Sequence, residues 1–177
     1  MIYSEPSVTR RSIKTAHTVH TNFPVNFTVA VNTSMNNKIV ARFLDGRVVK
    51  GISLDIHQSR PNFHVRPPSG DTVRVNLTDL KAVFYVRTLE GDANRDESLT
   101  PDPEDSRSRG SNLVRLRFKD GETMVGLSNG SPANREFFFI VPVDAQSNNL
   151  RVLVNAAAVL SMEEGLKIEP EPSRAAS

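Results

Sequence analysis

Histidines and carboxylates are the side chains able to move a proton or hold a metal near neutral pH. The chain has four histidines, His17, His20, His57 and His64. None sits in a helical pair with carboxylate support, so no metal-ligand set follows. His17 and His20 lie in solvated polar sequence, and His64, between Phe63 and Val65, alternates away from a core. Asp45 and Asp120 each precede a glycine and read as turn formers rather than as an acid and base pair. A glycine-rich phosphate loop is absent. The expectation is a protein that is not an enzyme and uses no metal or cofactor.

Positive charge is the remaining chemistry. Residues 38–87 hold nine Lys or Arg against four Asp. Arg42, Arg47, Lys50, Arg60, Arg66 and Arg74 are the candidate binding contacts, because clustered arginines suit acidic protein surfaces or phosphates. A protein partner is the first reading and nucleic acid the alternative. Aromatic rings add an interface. Phe137 and Phe139 flank Phe138, and three adjacent rings do not all face one core. Together with Tyr85, these two are expected where domains or subunits meet.

The elements that carry these residues are written twice. Asp45, Gly46, Gly51, Arg60, Phe63, Val65 and Pro67 recur 75 positions later as Asp120, Gly121, Gly126, Arg135, Phe138, Ile140 and Pro142. Ile39, Ala41 and Phe43 land on Val114, Leu116 and Phe118 with the same shift. Two copies of one unit are the reading. In each, a period of two and an Asp-Gly dipeptide predict a hairpin. Phe63 and Val65 make a short third strand ended by Pro67 and Pro68. Val73 to Leu77 makes a fourth and Leu80 to Val86 a fifth. The second copy predicts strands at Leu113 to Phe118, Thr123 to Leu127, Phe137 to Val141, Leu150 to Val154 and Ala157 to Met162. Five short antiparallel strands without room for a helix curl into a barrel to hide their edges.

The fold class is therefore all-β, with two tandem five-stranded barrels and an extra N-terminal strand. Residues 1–37 form a weakly basic tail that includes an edge strand, where Phe23, Val25, Phe27, Val29 and Val31 alternate with polar and small residues. Residues 38–87 form barrel 1 and residues 113–169 barrel 2. Between them, residues 88–112 hold seven acidic and three basic residues, two prolines and two glycines, which predicts an acidic disordered linker. Residues 170–177 read as a disordered tail. Barrels of about 50 residues sit near the lower limit of self-sufficient burial. They are expected to pack together or to form a homo-oligomer through edge strands. The chain has no cysteine, and no apolar run approaches a membrane span. A cytoplasmic protein without a membrane partner is expected.

Phe43-Leu44-Asp45-Gly46-Arg47 through Gly51, and Phe118-Lys119-Asp120-Gly121 through Gly126, resemble the first motif of Sm and Sm-like proteins. That resemblance implies bent five-stranded barrels of the SH3-like kind. The family's Arg-Gly turn, which builds its RNA pocket, is replaced here by Asn76-Leu77-Thr78-Asp79-Leu80 and by Val154-Asn155-Ala156-Ala157. RNA binding is accordingly not carried across. The run Leu80 to Arg87, with Glu90-Gly91-Asp92 after it, is similar to an uncharacterised bacterial domain family of small β proteins, sometimes found near PilZ-type regulators. The PilZ signature for cyclic-di-GMP is not present as a set. The functional expectation is a regulatory binding, scaffold or adaptor module that uses the basic face of barrel 1.

Overall fold

The computed structural model describes residues 37–92 and 94–166. The N-terminal edge strand expected at residues 23–31, His17, His20 and the C-terminal tail lie outside the described residues.

Among the described residues ten strands follow one another: β1 Asn37–Phe43, β2 Val48–Ser53, β3 Asn62–Val65, β4 Val73–Asn76, β5 Leu80–Val86, β6 Asn112–Phe118, β7 Thr123–Ser128, β8 Phe137–Pro142, β9 Asn149–Asn155 and β10 Val159–Glu164. Short 3₁₀ turns precede β5 at Leu77–Asp79 and β10 at Ala156–Ala158. Both Asp-Gly hairpins close in the same way. Gly46 and Gly121 share a φ of 89°, and each preceding aspartate accepts a hydrogen bond from the N–H two residues on, Arg47 or Glu122. That conformation costs glycine nothing and most other residues a clash, which is why the dipeptide marks the turn.

The strand registers coincide as well. Ile39 opposes Gly51 in the first hairpin and Val114 opposes Gly126 in the second. Both glycines sit where another strand crosses closely. A Cβ on Gly51 would stand 2.3 Å from the Arg66 carbonyl oxygen, and one on Gly126 would stand 2.9 Å from that of Val141.

The expected pair of separate five-stranded barrels is corrected. Eight strands form one antiparallel sheet in the order β10-β6-β7-β8-β9-β5-β1-β2, and β3 and β4 form a second, two-stranded sheet. A bridge from Ile52 to Arg66 links β2 to β3. Each half therefore runs fifth, first, second, third, fourth, but the halves are fused: β5 pairs with β9 from Ala82↔Val154 to Val86↔Asn149. The physical reason is burial on both faces. Ile39, Ala41, Phe63, Val83, Tyr85 and Leu153 pack on one side of the seam, while Ala82, Phe84, Val114, Phe138, Val152 and Val154 pack on the other. Each half thus lends residues to the other's core, and all seven residues of β5 are buried. Two small cores that share a wall leave less apolar surface wet than two closed barrels would.

Residues 88–112, expected to be a disordered linker, make specific bonds to the loop between β8 and β9. Arg95 pairs with Asp144 at 2.7 Å, Glu97 accepts from Ser147 Oγ at 2.6 Å, and Arg107 donates to the carbonyls of Pro142 and Val143. Three of the segment's charges, Arg95, Glu97 and Arg107, make these bonds, to the Asp144 carboxylate, the Ser147 hydroxyl and the Pro142 and Val143 carbonyls.

Candidate functional site

An open cleft of about 780 Å³ runs between the β1–β2 hairpin, the segment after β5 and the β6–β7 turn. Its floor is built by a register fault. Arg42 opposes Ala82 while Phe43 opposes Leu80, so Lys81 is the extra residue of a bulge and its side chain is turned off the ladder. Lys81 is the one charge in an otherwise apolar strand, and its side chain is only 7% exposed. The ammonium lies 4.3 Å from the centroid of the Phe118 ring and donates to Asp120 at 2.5 Å and to Glu122. Arg42 completes the cluster by donating to both Glu122 oxygens, at 3.0 and 3.2 Å, with its guanidinium 4.6 Å from the Phe84 centroid. The bond from Lys81 holds the Asp120 carboxyl below its ordinary range, against a smaller opposing effect of burial. Two cations and two anions satisfy one another. Chemically this is a clamp between the halves of the chain, since Lys81 and Arg42 come from the first and both carboxylates from the second.

Of the six basic residues expected to bind a partner, three are engaged within the chain. Arg42 is in the clamp, Arg47 pairs with Asp45 at 2.7 Å and lies 4.3 Å over Phe43, and Lys50 Nζ donates to the Leu89 carbonyl at 3.0 Å. Arg60, Arg66 and Arg74 are exposed and make no ion pair among the described residues. These three belong to the smaller sheet and its approaches: Arg60 in the turn before β3, Arg66 just after β3, and Arg74 on β4 opposite His64. No single cavity gathers the six. Arg42 and Lys50 line the cleft, while Arg66 lines a separate cavity of about 270 Å³ with His64 and Asp55. In that cavity His64 Nδ1 and Asp55 are 2.7 Å apart. Burial raises the pKa of the Asp55 carboxyl, but bonds from the side chain and N–H of His64 outweigh it and leave the net shift downward.

The three aromatic residues expected at an interface line the seam. Tyr85 and Phe139 meet at 6.0 Å between centroids, and Arg151 of β9 lies over both, at 4.1 and 4.9 Å. Phe137 and Phe139 pack against the core of the first half. Burial pushes the Tyr85 phenol up, partly offset by Arg151. Asn155, 3% exposed, closes the same seam by donating from Nδ2 to the Leu80 carbonyl at 2.8 Å.

Sequence reasoning passed over Lys81, Asp120 and Glu122 as a group, and Asn155. A signal for Lys81 existed: a single lysine inside Leu80 to Val86 must either break the strand or find anions. Nothing local names Asp120 and Glu122 as those anions, because they stand about 40 residues away.

The model of one protein family matches residues 35–164, a span that contains all ten strands. The chain belongs to the family of unknown function DUF6982. The DUF6982 match takes in both halves, the seam and the clamp. No curated protein and no solved structure matches the chain. Among the described residues of this DUF6982 domain, no group of three His, Asp or Glu side chains is placed to hold a metal ion. Among the described residues no helix is long and apolar enough to cross a membrane.

Proposed function

We propose that this DUF6982 protein is a non-catalytic binding module of the bacterial cytoplasm, a regulatory adaptor in which two Sm-like or SH3-like units are fused side by side. The observation that carries the reading is an asymmetry of edges. β9, the fourth strand of the second half, is paired on both sides, by β8 and β5. β4 holds the same place in the first half, and among the described residues only β3 pairs with it. An open strand edge is a template for an added strand. Arg74 lies on that edge with Arg66 and Arg60 on adjoining segments, so the favoured partner is an extended, acidic protein segment laid beside β4.

The test is a labelled peptide of alternating valine and glutamate titrated into the full chain. Binding should weaken about tenfold on Arg74→Glu and hold on Arg47→Glu, whose guanidinium Asp45 already occupies. Equal effects of the two substitutions would refute β4 as the docking edge. Nucleic acid is the second reading, favoured by the same three exposed arginines, which make no ion pair among the described residues. It requires log affinity for duplex DNA to fall with log salt by about 0.9 per phosphate neutralised, and a flat salt dependence would end it.

A further inference from the structure

The chain contains one finished example of how its halves join edge to edge. β5, a fifth strand, pairs with β9, a fourth strand. The other fourth and fifth strands, β4 and β10, are each paired on one side only among the described residues. Their surroundings repeat those of the seam strands. His64 opposes Arg74 as Phe139 opposes Leu153, and Arg117 opposes Ser161 as Arg42 opposes Ala82. A bulge interrupts both fifth strands at the same point, after Arg42 in one pairing and at Val159 in the other. Each open edge is thus one half of a joint whose complete form the chain already displays.

We infer that β10 of one molecule adds antiparallel to β4 of a second copy, in the register of the internal seam, so that chains associate head to tail. The inference rests on the reading of β4 as a docking edge and names its occupant. Transferring the register puts Met162 opposite Arg74 of the next copy, where Val83 opposes Leu153, and Glu163 opposite Val73, where Phe84 opposes Val152. Glu164 then lies diagonal to Arg74 on the same face, within reach of a long side chain.

Charge supports the fit, because β10 ends in Glu163, which pairs with Arg115 of β6, and Glu164, which accepts from the Ser131 hydroxyl and carries no ion pair among the described residues, while β4 presents Arg74, likewise without an ion pair among them. Both edges also leave an apolar side chain open: Leu160, the bulge residue of β10, is 60% exposed and Val73 on β4 39% exposed. Asn76 holds the position of Asn155, the residue that bonds across the seam, yet Asn76 is exposed and bonds only locally to Asp79. A contact between two different edges closes into a ring or runs on as a filament.

Sedimentation and light scattering of the full chain read the assembly directly. The expected mass is a multiple of the 19.6 kDa chain. Arg74→Glu and Glu164→Arg should each reduce it to a monomer, one by opposing two glutamates and the other two arginines. An equimolar mixture of the two variants should reassemble, since every joint then pairs opposite charges. The absence of native cysteine allows a second readout. Mild oxidation of mixed Val73→Cys and Glu163→Cys chains should give a linked heterodimer. A monomeric wild type, a mass indifferent to both charge reversals, or no linkage in the cysteine mixture would overturn the inference. A monomer that still takes the acidic peptide at β4 overturns this inference alone, whereas a monomer that ignores the peptide overturns the docking edge as well.

Discussion

Removing Lys81 should harm the fold less than removing the carboxylates that serve it. In Lys81→Met the stem keeps its place over Phe118, and the buried charge disappears with its partners' bonds. Two charge-assisted bonds are lost, each worth about 1.5–3 kcal/mol. Asp120 and Glu122 recover much of that, because their side chains are 55% and 38% exposed and rehydrate where they stand. The cost of burying an ammonium is also lifted, so the net loss should be about 1 kcal/mol.

The double variant Asp120→Asn, Glu122→Gln does the reverse. It keeps the turn acceptor and the side-chain shapes but leaves the ammonium, 7% exposed, without an anion. A buried charge stripped of its partner costs about 3–5 kcal/mol, and the amide oxygens still accept, so about 3 kcal/mol is expected. With a urea m-value near 2 kcal/mol/M, the midpoint should move down by about 1.5 M for the double variant and about 0.5 M for Lys81→Met. Both are read by equilibrium urea unfolding at neutral pH, with m unchanged. A midpoint for Lys81→Met as low as that of the double variant would refute the reasoning, because the carboxylates rather than the lysine would then be the groups left stranded.

Gly51→Ala and Gly126→Ala should both lower the melting temperature. Gly51→Ala should be the worse, about 3 kcal/mol against about 1–2, because its Cβ meets backbone at 2.3 Å rather than 2.9 Å. Acid should weaken the clamp in a defined window. The Asp120 pKa is lowered from 3.8, so its contribution is full above that value and is lost as pH falls through the folded-state pKa. The Asp120→Asn variant should therefore lose stability less steeply than wild type below about pH 4, as read by urea midpoints across the acid range. Asn155→Ala orphans the Leu80 carbonyl in the seam and should cost about 1–3 kcal/mol. Amide hydrogen exchange should accelerate first in β5 and β9, and uniform acceleration across the sheet would contradict the assignment.

The strands were legible because their signals are local. Asp45-Gly46 and Asp120-Gly121 specify turns through four or five residues of backbone sterics, and the alternation of Ile39, Ala41 and Phe43 survives as one buried face of β1. The six basic residues were legible as charge but not as a site. Whether Arg42 is free or bound depends on Glu122, 80 residues away, and no local pattern reports that distance. The contacts of residues 88–112 were illegible for a related reason. Their polarity and prolines are what a disordered segment shows, and the bonds from Arg95 to Asp144 and from Ser147 to Glu97 join residues about 50 apart.

The sequence by itself determined the alternation and the two hairpins, since each follows from backbone sterics or from a period of two within a few residues, whereas the crowding at Gly51 and Gly126 comes from carbonyls 15 residues further on. Only the tertiary structure decided that the two halves share a sheet. The pairing of Ala82 with Val154 joins residues 72 apart, and its net benefit comes from burying β5 on both faces at once. The unbroken apolar run Leu80 to Val86 is what a doubly buried strand looks like, but a run records how much surface must be hidden and not which strand will hide it.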